Sequence, residues 1–394
     1  MYQIAIIWWI LSQIGSDKGR ALGFFLVAGA LPAIFFVKIV GKIVDEYKSK
    51  WILVICDLLA FVVIISVYYL LINSKLTLLT ASLAGFAVAM VEAFFNPAIN
   101  KAIPELVDKK DIQSAVTYQS STQYLASFSG AVAGGLLIDA VGIPGVILIN
   151  ATSYIISALC NLGIKFKLFC LESLQTSSNN GVSGWKILDD APLIKKILVG
   201  FGLVNFFTVP LFIVLPVYTK EAIKGNATLL GLLEAALWMG LLSGTFAAPV
   251  FDRIKNTVKI GVFSLLAFGI SLVVPGIFIN KFVYGLILFT GGFAIGVNNV
   301  RFMSFFQHII NPSIKGRFFA LLFALTSFTF PISYLCFGFL ADYFFPPTLC
   351  IIEGCGVLLL SFYFKKLEKQ EEEYVSALNK GLSAINTSSE LIKQ

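Results

Sequence analysis

Long apolar runs separated by short polar breaks dominate this chain. Residues 51–72 and 257–279 are almost wholly apolar, and at about 1.5 Å of rise per residue each crosses the roughly 30 Å hydrocarbon core of a bilayer. Backbone amides find no water there, so such runs must satisfy their own hydrogen bonds as helices. The pattern predicts spans near 1–12, 21–40, 51–72, 76–96, 114–138, 143–164, 194–218, 228–250, 257–279, 282–307, 317–341 and 348–364. The first is partial, since twelve helical residues reach only about 18 Å. Its counterpart in the second half is far longer, so a further upstream piece of this helix is expected in the coding DNA.

Between the sixth and seventh runs lies the long hydrophilic interior stretch, containing Thr176-Ser-Ser-Asn-Asn-Gly-Val-Ser-Gly184. Its composition reads as a linker. The domain expectation is therefore a six-helix bundle over 1–165, a linker over 166–193, a second six-helix bundle over 194–366 and a charged, soluble tail over 367–394. The halves carry faint repeats. With an offset of 230 − 22 = 208, Leu22-Gly23 falls on Leu230-Gly231 and Pro104 on Pro312. Gly135-Leu-Leu-Ile-Asp139 resembles Gly338-Phe-Leu-Ala-Asp342. Two related bundles are the arrangement of alternating-access carriers.

Composition agrees with lipid as the solvent. Of 394 residues 58% are hydrophobic and 13% charged, against about 25% charged in a soluble domain. The formal charge of +7 is spread over short loops without a basic stripe, which argues against nucleic acid. Basic residues are lopsided instead. One side takes Lys42, Lys48, Lys50, Lys101, Lys109, Lys110, Lys165, Lys167, Lys186, Lys195, Lys196, Arg253, Lys255, Lys259, Lys315, Arg317 and the tail; the other takes Lys18, Arg20, Lys75, Lys220, Lys224 and Lys281. The positive-inside rule then makes the linker and C-terminus cytoplasmic in a multi-pass protein of the cell membrane. Six cysteines without CxxC spacing read as small buried hydrophobes, and one histidine, His308, offers no metal cluster. No cofactor is expected. There is no Gly-x-x-x-x-Gly-Lys-Ser/Thr loop for an ATP-driven pump, and no clustered acid–base residues for a membrane enzyme.

Gly41-Lys-Ile-Val-Asp45-Glu-Tyr-Lys48-Ser-Lys50 resembles the Gly-x-x-x-Asp-Arg/Lys-x-x-Arg-Arg loop of the major facilitator superfamily. Glu46 stands where that family has a basic residue, and the second-half copy at Asp252-Arg253 lacks the glycine. Asn96-Pro97, Ile103-Pro104-Glu105 and Asn311-Pro312-Ser-Ile-Lys-Gly316-Arg317 look like the macrolide-efflux and siderophore-exporter branch. Gly130-Ala-Val-Ala-Gly134-Gly135 approaches an antiporter helix-packing motif, with Ala131 in place of its proline. The resemblance implies an all-α, twelve-helix (6+6) major facilitator bundle with a partial first helix. It also implies that Gly41 permits close helix approach, and that Asp45, with Lys48, Lys50, Asp57 and Arg317, latches the cytoplasmic face in the outward-facing state. Asp57 is expected to hold this loop through Lys48 or Arg317.

Ionisable groups within spans are costly and therefore candidate sites. In the family the fourth and tenth helices line a central cavity. On that resemblance Glu92 and Arg301 are expected to approach across it, with Asn298 and Asn299 beside them, and Glu92 to carry a proton. Glu234 reads as a second protonation or cation-recognition point, or as a helix cap. Glu353 reads as peripheral. Trp8, Trp9, Phe24, Phe25, Phe94, Phe95, Trp238, Phe305 and Phe306 could wall an apolar cavity or face lipid. The function that follows is a monomeric secondary active transporter, exporting small amphipathic drug- or siderophore-like compounds in exchange for protons. The alternatives are a lysophospholipid transporter of the same fold, or a transport-inactive sensor or scaffold.

Overall fold

A computed structural model of the protein describes residues 1–15, 17–107, 111–164, 192–254, 256–310 and 315–391. All regular structure among them is helical: α1 (Tyr2–Gln13), α2 (Lys18–Phe35), α3 (Val37–Glu46), α4 (Ser49–Ile72), α5 (Leu78–Leu106), α6 (Ile112–Gly163), α7 (Pro192–Thr208), α8 (Leu211–Glu221), α9 (Ala227–Ala247), α10 (Thr257–Ile277), α11 (Lys281–Ile309), α12 (Lys315–Tyr343) and α13 (Pro346–Leu391). A short 3-10 helix, Ala248–Arg253, follows α9. Ten stretches among the described residues are long and apolar enough to cross a membrane. One of them, Ser121–Gly163, spans 43 residues and makes two passes, because Gly142 adopts φ +75° just before Pro144. Glycine enters that conformation without the steric cost of a Cβ. Together with the 12-residue α1, these stretches form the expected twelve rods.

Two predicted helices are each broken in two. The run expected at 21–40 divides at Phe36 into α2 and α3, and the run at 194–218 divides at Val209-Pro210 into α7 and α8. Pro210 has no N–H for the carbonyl four residues back. The Phe206 carbonyl instead accepts from Ser333 Oγ on α12 at 2.6 Å. Helix starts are set by side chains of the usual capping type. Asn226, Asn256 and Asn280 accept from the first-turn amides of α9, α10 and α11, and Thr77 forms a capping box with Thr80 ahead of α5.

Close packing rests on small residues. Gly240 and Gly244 on α9 face Gly292 and Gly296 on α11, and a Cβ at any of the four would collide with a carbonyl oxygen of the opposing helix. This is reciprocal small-xxx-small packing, which brings backbones together where lipid supplies no hydrophobic drive. Gly269 on α10 and Gly354 on α13 meet in the same way. The first six rods pack as α4 on α5 and α6, with α2 on α5; the second six as α9 on α11 and α11 on α10, with α10 and α7 on α13. The two groups join where α2 meets α12 and α6 meets α9. Large apolar side chains such as Leu79, Val62, Leu159, Phe282 and Leu359 stay exposed, as a lipid-facing surface requires.

The expected linker lies almost wholly outside the described residues. α13 runs through the start of the expected tail to Leu391, and Glu371, near the tail's start, is 2% exposed. Its carboxylate accepts from the Thr257 and Val258 amides at 2.9 and 2.7 Å, satisfying the free N–H groups at the start of α10.

Candidate functional site

One end of the molecule is closed by two matching latches. Asp139, near the middle of α6, accepts from the Thr228 amide at 2.9 Å and from the Thr228 hydroxyl at 2.5 Å, at the start of α9. Asp342, near the end of α12, accepts from the Gly19 amide at 2.7 Å, the Arg20 amide at 3.2 Å and Arg20 Nε at 2.7 Å, at the start of α2. Each carboxylate thus sits on the N-terminus of a helix from the other half, where free N–H groups and the helix dipole favour negative charge. Four residues before each aspartate a glycine allows the approach. Gly135 lies against Gly231, and Gly338 against Gly19 and Gly23. Lys18 pairs with Glu221 at 2.8 Å, and Lys220 reaches Ser12 Oγ at 3.1 Å and lies 5.1 Å from the Trp8 ring centroid. Among the described residues, the hydrogen bonds that join the two halves all lie at this end.

Among the described residues, two cavities stand out within the bundle. The larger, about 740 Å³, is enclosed mainly by α7–α12. Its wall is mostly apolar, including Phe201, Phe268, Trp238, Phe302 and Phe306, with Asn205, Thr208, Asn298, Asn299 and Thr326 as its polar points. The rings interlock edge to face: Phe201 and Phe302 lie 4.9 Å apart, and Phe306 and Phe318 5.1 Å. Asn298 Oδ1 is buried without a hydrogen-bond partner. The smaller cavity, about 390 Å³, contains Glu92 together with Tyr2, Asn150, Tyr154, Phe330 and Tyr334. The Tyr2 hydroxyl and Asn150 Nδ2 are likewise buried and unpartnered. A mostly apolar chamber with a few placed polar groups is the usual form of a small-molecule site.

The family model of the Major Facilitator Superfamily matches residues 1–332. The chain belongs to this superfamily. It is 23% identical over 354 residues to macrolide efflux protein A of Streptococcus pyogenes, covering 86% of this chain and 85% of that one. Its fold matches a bacterial homologue of the iron transporter ferroportin in an inward-facing state, with a TM-score of 0.73, 13% identity and coverage of 93% and 94%. It also matches a D-xylose–proton symporter, with a TM-score of 0.70, 12% identity and coverage of 94% and 93%. The protein is a multi-pass membrane transporter of the superfamily, not an enzyme.

Within this superfamily member the residues singled out in the sequence take varied places. Asn298 and Asn299 line the larger cavity, as do Trp238 and Phe306, and Glu92 lines the smaller one. Glu92 and Arg301 are not brought together. Arg301 Nη2 donates instead to the Ile254 carbonyl at 2.8 Å. Glu234 is buried within α9, next to the amino group of Met1. Gly130 and Gly134 pack against α1 rather than against the other half, a role left to Gly135.

Asp45 is exposed, and a Cβ at Gly41 would meet nothing within 4 Å, so that glycine mediates no close helix approach here. Asp57 departs from the expected pairing with Lys48 or Arg317. Buried about two turns into α4, it accepts from Ser157 Oγ and Asn161 Nδ2, both at 2.8 Å, and ties α4 to α6. Lys48 is exposed and the Arg317 side chain lies outside the described set. Lys50 donates to the Leu162 and Ile164 carbonyls, and Lys101 to those of Val44, Asp45 and Tyr47, so both lysines cap helix C-termini. Asp139, Asp342 and Glu353 are the residues sequence reasoning passed over. The first two carried a signal in the Gly-x-x-x-Asp repeat; Glu353, fully buried rather than peripheral, carried none.

Proposed function

We propose that the protein exports small amphipathic compounds of macrolide-like chemistry in exchange for protons, by alternating access between two six-helix halves. The observation that carries this reading is the larger cavity. Its aromatic wall suits an apolar ring system, and the unpartnered Asn298 Oδ1 among Asn205, Thr208 and Asn299 suits a ligand that brings hydroxyl or amine donors. A buried acceptor left unpaired is costly, and a ligand donor relieves that cost. The likeness to macrolide efflux protein A supports the same direction and substrate class.

The basic-residue asymmetry supports a cytoplasmic C-terminus in the cell membrane. On that orientation the end held by Asp139 and Asp342 faces outward. The described conformation is then inward-facing, with the Asp45 loop released because its latch belongs to the opposite state. Glu92, in a cavity with the Tyr2, Asn150 and Tyr154 polar groups, is the proton carrier of the first half. Its carboxylate is tolerated at mid-membrane because it is used.

Accumulation of a panel of radiolabelled compounds in cells expressing the protein, with and without a protonophore, tests the proposal. Macrolides should be depleted in expressing cells, and the protonophore should abolish the depletion. Equal accumulation with an empty vector across the panel would refute efflux. Altered lysophospholipid distribution with unchanged macrolide content would move the assignment to lipid.

A further inference from the structure

The ends of α8, α10, α11 and α13 next to the latches enclose a polar cluster that borders neither cavity. Glu353 on α13 is fully buried, and neither of its carboxyl oxygens has a hydrogen-bond partner. The Tyr284 hydroxyl on α11 is buried as well, its residue 1% exposed. One turn before Glu353, Cys350 lies beside that hydroxyl. Tyr218 on α8 covers the group: its ring meets Tyr284 edge to face at 4.8 Å, and its hydroxyl donates to the Pro275 carbonyl on α10 at 2.6 Å.

No cation neutralises Glu353 among the described residues. Lys195, Lys196 and Lys259 belong to the opposite ends of α7 and α10. Lys220 and Glu221 on α8 turn to Ser12, Trp8 and Lys18, Asp342 on α12 turns to α2, and Lys281 on α11 lies over the Phe282 ring. The ionisable groups facing Glu353 are Tyr284 and Cys350, with Tyr218 behind them. A lone carboxylate in such surroundings binds a proton rather than remain charged.

The cover is also placed to move. α8 is a separate segment, broken from α7 at Pro210. One and two residues beyond Thr219, which follows Tyr218, its Lys220 and Glu221 hold Ser12 and Lys18 of the other half. The ties that close this end of the carrier therefore also fix the residue that roofs the cluster.

We propose that Glu353 is a proton-binding residue, roofed by α8 and opened to the outer solution when the ties of Lys220 and Glu221 to the first half release. The step is protonation of the carboxylate from outer water and return of that proton when the site reopens; no other atom is exchanged. A proton taken from and returned to the outer side crosses no membrane, so this inference stands apart from the reading of the chain as a proton-coupled carrier.

Infrared difference spectroscopy on the full-length protein in lipid vesicles tests this without a transported substrate. At neutral pH the wild type should show a protonated-carboxyl stretch that is missing in Glu353→Gln and retained, at shifted frequency, in Glu353→Asp. In heavy water that band should exchange at least several-fold faster in the Lys18→Ala, Lys220→Ala double variant. Identical spectra for wild type and Glu353→Gln would overturn the proposal. So would loss of the band on adding sodium, which would mark a cation site, or an exchange rate indifferent to the double variant. A wild type that fails to move macrolides yet keeps the band would sink the substrate assignment and leave the Glu353 proton in place.

Discussion

Asp342 shows how much a single carboxylate holds in this fold. Its side chain is 4% exposed, and it binds two backbone amides and a guanidinium across the boundary between halves. Charge-assisted hydrogen bonds of this kind contribute roughly 1.5–3 kcal/mol each when partly buried. Asp342→Asn keeps the size but removes the charge, so the closed form of the latched end should lose population by about tenfold or more, since 1.4 kcal/mol is one decade. Spin labels at the exposed Gln13 and Lys224 should report a longer distance component in the variant. An unchanged distribution would show that the latch does not set the equilibrium. Asp139→Asn should act in the same direction but more weakly, because Asp139 is exposed to solvent that screens it. In the larger cavity, Asn298→Leu fills the wall with an apolar group and removes the unpartnered acceptor. Export of a hydroxyl-rich macrolide should fall about five- to tenfold, read as the initial rate of efflux, with protein abundance unchanged.

At the level of the helices, the small residues of α9 and α11 decide whether the second half assembles. Gly244→Val places two methyl groups where the Phe293 carbonyl already sits. Overpacking of this sort costs about 1–3 kcal/mol, so the variant should lose several degrees of thermal midpoint in detergent, followed by size-exclusion chromatography. Gly41→Val, whose Cβ meets nothing within 4 Å, should leave that midpoint unmoved and serves as the control. The spans themselves were readable because lipid forces helices on any long apolar run, whatever its neighbours. Their breaks were partly hidden. Pro210 is visible in the sequence, but whether a proline kinks or divides a helix depends on what replaces its lost hydrogen bond, here Ser333 from a distant helix. Glu353 was misjudged for a related reason. On a helix apolar nearly all round no polar face marks the inside, and only the packing of α13 on α10 and α8 buries that carboxylate. The partners of Asp57, Ser157 and Asn161, lie a hundred or more residues on, beyond the reach of local spacing.

For the whole molecule, the superfamily fold followed from six runs, a polar gap and six runs, together with the Gly41–Lys50 loop. Conformational state did not follow from sequence, since both states share one chain. The structure places carboxylates on foreign helix N-termini at one end and leaves Asp45 exposed at the other. On the proposed alternating-access cycle the bonds of Asp139 and Asp342 break when their end opens. The pseudo-symmetry of the pairs, Gly135 with Asp139 and Gly338 with Asp342, means that opening the latched end breaks both latches in one motion. Proton-driven export by this motion is the central claim. It is tested most directly in sealed proteoliposomes carrying the purified protein and a radiolabelled macrolide outside, with the pH gradient as the sole imposed force. For inside-out carriers with an acidic lumen, the account expects the macrolide to be concentrated inside and released when the gradient is collapsed. Uptake that is the same with and without the gradient, or the same as in protein-free vesicles, would contradict it.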